Sequence, residues 1–181
     1  MSAPDLSSMH PGDGAVALRT LPRRYRDAAR TAATTDLADE PDDQAIDEVA
    51  ARVGPDGWSA ADLVVAASAR AEALERWLRS ALVSDTAIAP RDLLGAELAV
   101  DHDPSAPPFA RAVDELAERL ARLAKVVDDA DAARWIATLP TDSTDSPTVT
   151  PLEVLQRGVA SLVGGERRLG PLLRSVRGRP G

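Results

Sequence analysis

Phe109-Ala110-Arg111-Ala112-Val113-Asp114-Glu115-Leu116-Ala117-Glu118-Arg119-Leu120-Ala121-Arg122-Leu123-Ala124-Lys125-Val126-Val127 carries the most regular pattern in the chain. Its residues Phe109, Val113, Leu116, Leu120, Leu123 and Val127 step by four, three, four, three and four, the spacing that lines one side of an α-helix. Flanked by Arg and Glu, such a stripe belongs on the inward seam of a helix packed at a shallow angle against its neighbours. The segment predicts a core helix, and with it an all-α fold.

Composition points the same way. Of 181 residues 34 are Ala and only 3% are aromatic, a mixture that favours helix and leaves little material for a sheet. The length suits one domain with a sizeable core. With no Cys, disulfides, thiolate zinc sites and cysteine nucleophiles are excluded, and His10 and His102 are the only imidazoles. A net charge of −8 argues against a nucleic-acid partner, although the charge is uneven. Asp36 to Asp62 holds nine acids against Arg52, whereas Thr150 to Gly181 holds six Arg against Glu153 and Glu166. No apolar run approaches the ~20 residues of a membrane span, and Met1 to Gly14 has neither a basic start nor an apolar stretch. A cytoplasmic protein with no membrane contact is the expectation.

Around the central segment three further long helices can be placed. Residues 1–17 and 178–181, rich in Pro, Gly and Ser or Arg, are expected to be flexible tails around a helical body at 18–177. The first helix is expected to begin near Pro22 and to run towards Thr35, with Leu18, Leu21, Tyr25, Ala28 and Ala32 on its apolar side. A short helix from Asp43 to Arg52 follows, then a turn at Gly54-Pro55-Asp56-Gly57. Ser59 with Asp62 three residues on forms a capping pair that opens the second long helix, whose Leu63, Ala67, Leu74, Leu78 and Leu82 share one side. Ala87 to Pro108 is a long crossover, expected to include a short helix from Leu93 to Val100. The last helix opens at Thr150-Pro151 and carries Leu152, Leu155, Val159, Leu162, Glu166, Leu169, Leu173 and Val176 on its stripe.

The phrase Gly57-Trp58-Ser59-Ala60-Ala61-Asp62-Leu63-Val64, the long second connection, and the ending Thr150-Pro151-Leu152-Glu153-Val154-Leu155-Gln156 together resemble the DinB/YfiT-like superfamily. The likeness is strongest to the N-terminal module of mycothiol-dependent maleylpyruvate isomerases and covers Leu18 to Val176. It implies a four-helix bundle with a long crossover between the second and third helices. It also implies a divalent metal held by one His on the second helix and two His, four residues apart, on the last. Carried over by position, those ligands fall on Ala66, Ser161 and Gly165. Ala and Gly offer no donor atom and a Ser hydroxyl is a poor zinc or nickel ligand, so neither a metal nor any other cofactor is expected.

Candidate binding residues therefore line the cleft expected between the second and fourth long helices: Arg70, Arg157, Glu166 and Trp58. Glu166 sits on an apolar stripe, where an unpaired carboxylate is costly, and Arg70 lies one turn beyond Ala66. The two are expected either to meet where the metal would sit or to extend into solvent. Gly164-Gly165 within a helix leaves room for a ligand or a close backbone approach, or marks a kink. Trp58 and Trp135 are pocket or core residues, and Asp101-His102-Asp103 reads as a solvated loop. No residue stands out as catalytic. The leading expectation is a non-catalytic module binding a small ligand or a protein partner. The alternatives are an isomerase or transferase that uses a small thiol such as mycothiol, with Arg70, Arg157 or Glu166 supplying electrostatics, and a structural homodimer.

Overall fold

A computed structural model describes residues 6–34, 43–95, 97–143 and 148–177. The chain builds four long helices, and local signals account for where they begin. Ser59 and Asp62 cap each other reciprocally at the start of α3 (Ala60–Ala81): the Asp62 N–H donates to the Ser59 hydroxyl at 3.1 Å, and the Ser59 N–H to the Asp62 carboxylate at 2.6 Å. Thr150 and Glu153 make the same exchange ahead of α6 (Pro151–Arg177), where Pro151 takes a first-turn position that needs no N–H. The periodic central segment is α5 (Phe109–Asp128), and all six residues of its stripe are buried.

The first helix departs from expectation. α1 spans Pro11–Ala33, so Pro22 lies inside it and residues 11–17 are helical rather than a flexible tail. Pro11 starts the helix, the His10 N–H is held by the Asp13 carboxylate at 3.1 Å, and the small Gly14 lets the turn pack closely on Leu155. Tertiary packing here outweighs the weak helix propensity of Pro and Gly. The expected tail at 178–181 and residues 1–5 lie outside the described residues, as do residues 35–42 of the acidic stretch.

The other elements are short. α2 (Asp43–Ala50) precedes the turn at Gly54–Gly57, where Gly57 has the positive φ of 84° that favours glycine. In the crossover the expected helix at 93–100 shrinks to α4 (Arg91–Leu94), because the carbonyls that would continue it are taken up by Arg70. Trp135 is buried in a 3-10 turn at Ala132–Ile136. Two antiparallel two-residue strands, β1 (Leu139–Pro140) and β2 (Thr148–Val149), pair Leu139 with Val149.

Side-chain pairs fix the directions of the long helices. Tyr25 reaches Leu162 and Arg177 reaches Ala32, so α1 and α6 run parallel. Glu72 pairs with Arg119 and Glu75 with Arg122, so α3 and α5 also run parallel. Arg19 meets Asp128 and Arg26 meets Asp114, which sets α5 antiparallel to α1. Gly158 faces Leu74 and Gly165 faces Leu63, which does the same for α3 and α6. Each long helix thus has two long neighbours, and Leu18, Leu21, Leu63, Leu74, Leu116, Leu120, Leu155 and Leu162 close the core between them. Parallel α3 and α5 cannot be joined by a hairpin, which is why the connection must travel back along the molecule.

Tyr25 is fully buried and donates its hydroxyl to the Leu162 carbonyl at 2.9 Å. Burial, reinforced by the nearby Glu166 charge, pushes its phenol well above the usual value of about 10. Folding therefore favours the protonated phenol, and that contribution is complete below pH ~10 and lost as pH rises above it. Since Tyr25 is the sole tyrosine, tyrosinate absorbance should appear only together with unfolding in an alkaline titration. Tyr25→Phe should cost about 0.5–1.5 kcal/mol at neutral pH, measured by urea denaturation. A phenol that titrates near its ordinary value in the folded protein would contradict this packing.

Candidate functional site

The positions to which the resemblance assigns metal ligands lie on α3 and α6, and Gly165 faces Leu63 of α3. Ala66 is half-buried on α3, while Ser161 and Gly165 are buried on α6. What surrounds Gly165 is protein. A Cβ built there would stand 2.6 Å from a Leu98 methyl, 2.7 Å from the Tyr25 hydroxyl and 3.8 Å from a Leu63 methyl. The bare backbone at 165 is filled from three sides, by α1, by α3 and by the crossover. Gly164, one residue earlier, has nothing within 4 Å of an added Cβ, so only the second glycine of the pair is required by packing. The Ser161 hydroxyl, 1% exposed as a residue, has no hydrogen-bond partner among the described residues, and neither does that of Ser68.

The crossover that delivers Leu98 is pinned at two points to α3. At the first, Arg70 donates to the carbonyls of Asp92, of Leu93 at 2.9 Å and of Gly95 at 2.7 Å. A planar guanidinium can serve several carbonyls at once, and those left open at the end of α4 need donors. Burial pulls the Arg70 guanidinium below its ordinary value, and the neighbouring Asp92 carboxylate counteracts it. At the second point, the fully buried Asp62 carboxylate accepts from the Asp103 N–H at 3.0 Å and from His102 Nδ1 at 2.9 Å, besides the Ser59 N–H and hydroxyl. Desolvation alone would raise the Asp62 carboxyl. The four hydrogen bonds win and hold it below the usual carboxylate range. An ionised carboxylate only accepts, so the Nδ1 of His102 is the donor in this bond.

Asp101-His102-Asp103 is exposed and outside any regular element, like the loop expected from sequence, but it is tied to α3. His102 and Asp103 anchor the crossover, with Asp103 held below the usual carboxylate range by hydrogen bonds from Ser105. The capping pair Ser59 and Asp62 was legible, but the partner that completes it lies 40 residues away, beyond the reach of any local pattern.

The four candidate binding residues do not converge. Arg70 is committed to the crossover, and its pairing with Glu166, one of the two outcomes expected from sequence, is not made. Glu166 instead takes Arg24 of α1 at 2.6 Å, because the stripe on which it sits faces the parallel helix. Trp58 is buried beneath the Arg168 guanidinium, which stacks 4.5 Å from its ring centroid, a cation–π contact on the outer side of α6. Arg157 is half-buried on α6 and shares no hydrogen bond or ion pair with the other three. The four side chains therefore make separate contacts and do not line one site together. Among the described residues no group of three or more His, Asp or Glu side chains is placed to hold a metal ion, and the donor set at 66, 161 and 165 does not fit one.

Asp62 gives the clearest measurable consequence. Removing it leaves buried donors of α3 and of the crossover unpaired, so Asp62→Ala should cost about 2–3 kcal/mol at pH 7. Because the folded carboxyl lies below its unfolded value, its contribution is complete above the unfolded pKa of about 4 and is lost as pH falls through the depressed folded value. Paired urea denaturations should find the gap between the two proteins constant from neutral pH down to that point and shrinking below it.

No protein-family model matches the chain, and no curated protein or solved structure matches it either.

Proposed function

We propose that this chain is a DinB-like four-helix bundle whose cation site has been replaced by packing, and that it works as a non-catalytic module binding a small ligand or a protein partner. The long connection between α3 and α5 and the two capped openings, Ser59 to Asp62 and Thr150 to Glu153, support the scaffold part of this reading. The observation that carries the functional part is the contact at Gly165, where the Tyr25 hydroxyl and Leu98 occupy the space that a ligated ion and an open coordination position would need. Tyr25 is held in place by its bond to Leu162, so that space is not opened by a simple side-chain rotation. A reaction through a metal-bound thiol has no donor set at positions 66, 161 and 165.

Two measurements test this. Elemental analysis of the purified chain should find no stoichiometric zinc or nickel, and added metal should not raise its melting temperature. Gly164→Ala should stabilise by about 0.5–1 kcal/mol through helix propensity alone. Gly165→Ala should destabilise by about 1–3 kcal/mol, since the new methyl collides with the anchored Tyr25. Bound metal, turnover of a maleylpyruvate-like substrate with a small thiol, or a neutral Gly165→Ala would overturn the reading.

A further inference from the structure

A second opening lies between α1, α2 and α5 and includes none of the residues discussed so far as ligands or binding groups. Its floor is apolar: Ala29, Ile46 and Phe109, all buried. Its rim is charged: Arg26 and Arg30 from consecutive turns of α1, Asp43 from the first turn of α2, and Asp114 from α5. The cavity is about 130 Å³, smaller than the sites typical of drug-sized molecules, and it opens to solvent, so only a small ligand can be seated in it. The walls are fixed to one another, because Asp47 of α2 accepts the Ala110 N–H of α5 at 2.9 Å.

The rim charges form two pairs. Arg26 meets Asp114 at 2.5 Å, while Arg30 stands 4.0 Å from Asp43, at the limit of an ion pair. Side chains of the looser pair are 58% and 76% exposed, so water screens it and little is lost on breaking it. What can replace it favourably is narrowly defined. An anion would satisfy Arg30 but strand Asp43 beside a like charge, a cation would do the reverse, and a neutral molecule would satisfy neither. A zwitterion satisfies both, and an apolar group attached to it can lie on Ile46 and Phe109.

We propose that this cleft binds a free α-amino acid with an apolar side chain, its carboxylate on Arg30, its ammonium group on Asp43 and its side chain on the Ile46 and Phe109 floor. Binding is non-covalent. The inference does not depend on the state of the α3 and α6 contact: metal found there would remove the proposed function and leave this site standing.

The test is a titration of the full chain with L-leucine and L-phenylalanine, followed by calorimetry and by amide shifts of Ala29, Ile46 and Ala110. A dissociation constant of about 1 mM or tighter is expected, with shifts confined to the cleft. N-acetyl-L-leucine and L-leucinamide, which each lack one charge, and glycine, which lacks the side chain, should bind at least about tenfold more weakly, a difference of about 1.4 kcal/mol. Arg30→Gln and Asp43→Asn should each weaken binding about tenfold without moving the melting temperature, since both side chains are exposed. No cleft shifts at about 10 mM amino acid, equal binding of the acetylated compound, or unchanged affinity in Arg30→Gln would overturn the proposal.

Discussion

The hydroxyl of Tyr25 fixes how closely the first and last long helices approach. Its bond to the Leu162 carbonyl reaches across α1 and α6, and its oxygen lies where a side chain at 165 would begin. A buried phenol must find an acceptor, and a helix backbone supplies one only at close range. Gly165 makes that range available. Gly158 plays the matching part on the side facing α3, where a Cβ would stand 2.4 Å from a Leu74 methyl. α6 thus uses its small residues to sit close to both neighbours, and the layout of the remaining helices follows from its position.

The crossover is held by polar contacts instead of by a regular element. Between α4 and α5 the chain passes Leu98, Val100 and His102 without forming a helix, and its backbone groups need partners from elsewhere. Arg70 and Asp62 supply them from one helix, two turns apart. Neither residue could be replaced by an apolar one of similar size without removing the partners of these backbone groups. The price of ordering so long a connection is met by these few strong bonds and by Leu98 packed against α6.

Much of this was legible in the sequence. The α5 stripe, the Ser59 and Asp62 capping pair, the Thr150-Pro151 opening and the turn before Trp58 are local signals, and each is built as read. The start of α1 was missed because Pro11, Gly12 and Gly14 argue against helix locally, while Leu155, which rewards the small Gly14, lies far along the chain. The candidate site fared worse for the same reason. Glu166 was marked as a carboxylate that had either to be paired or to reach solvent, but its stripe could not reveal that the facing helix was α1 and the partner Arg24. His102 has no local pattern to set it apart from any loop histidine, and only the buried Asp62 carboxylate gives it a place.

The parallel pairing of α1 with α6 bears on how the molecule is assembled. The acceptor of Tyr25 lies 137 residues further on, and Arg177, which supplies the carbonyls at the end of α1, is more distant still. During synthesis, α1 emerges with its principal polar partners not yet made, and closure of the core waits for α6 to leave the ribosome. A nascent chain halted before Pro151 would present Leu18, Leu21 and Tyr25 to the surroundings, which makes the synthesis of α6 the interval in which this bundle needs protection from self-association.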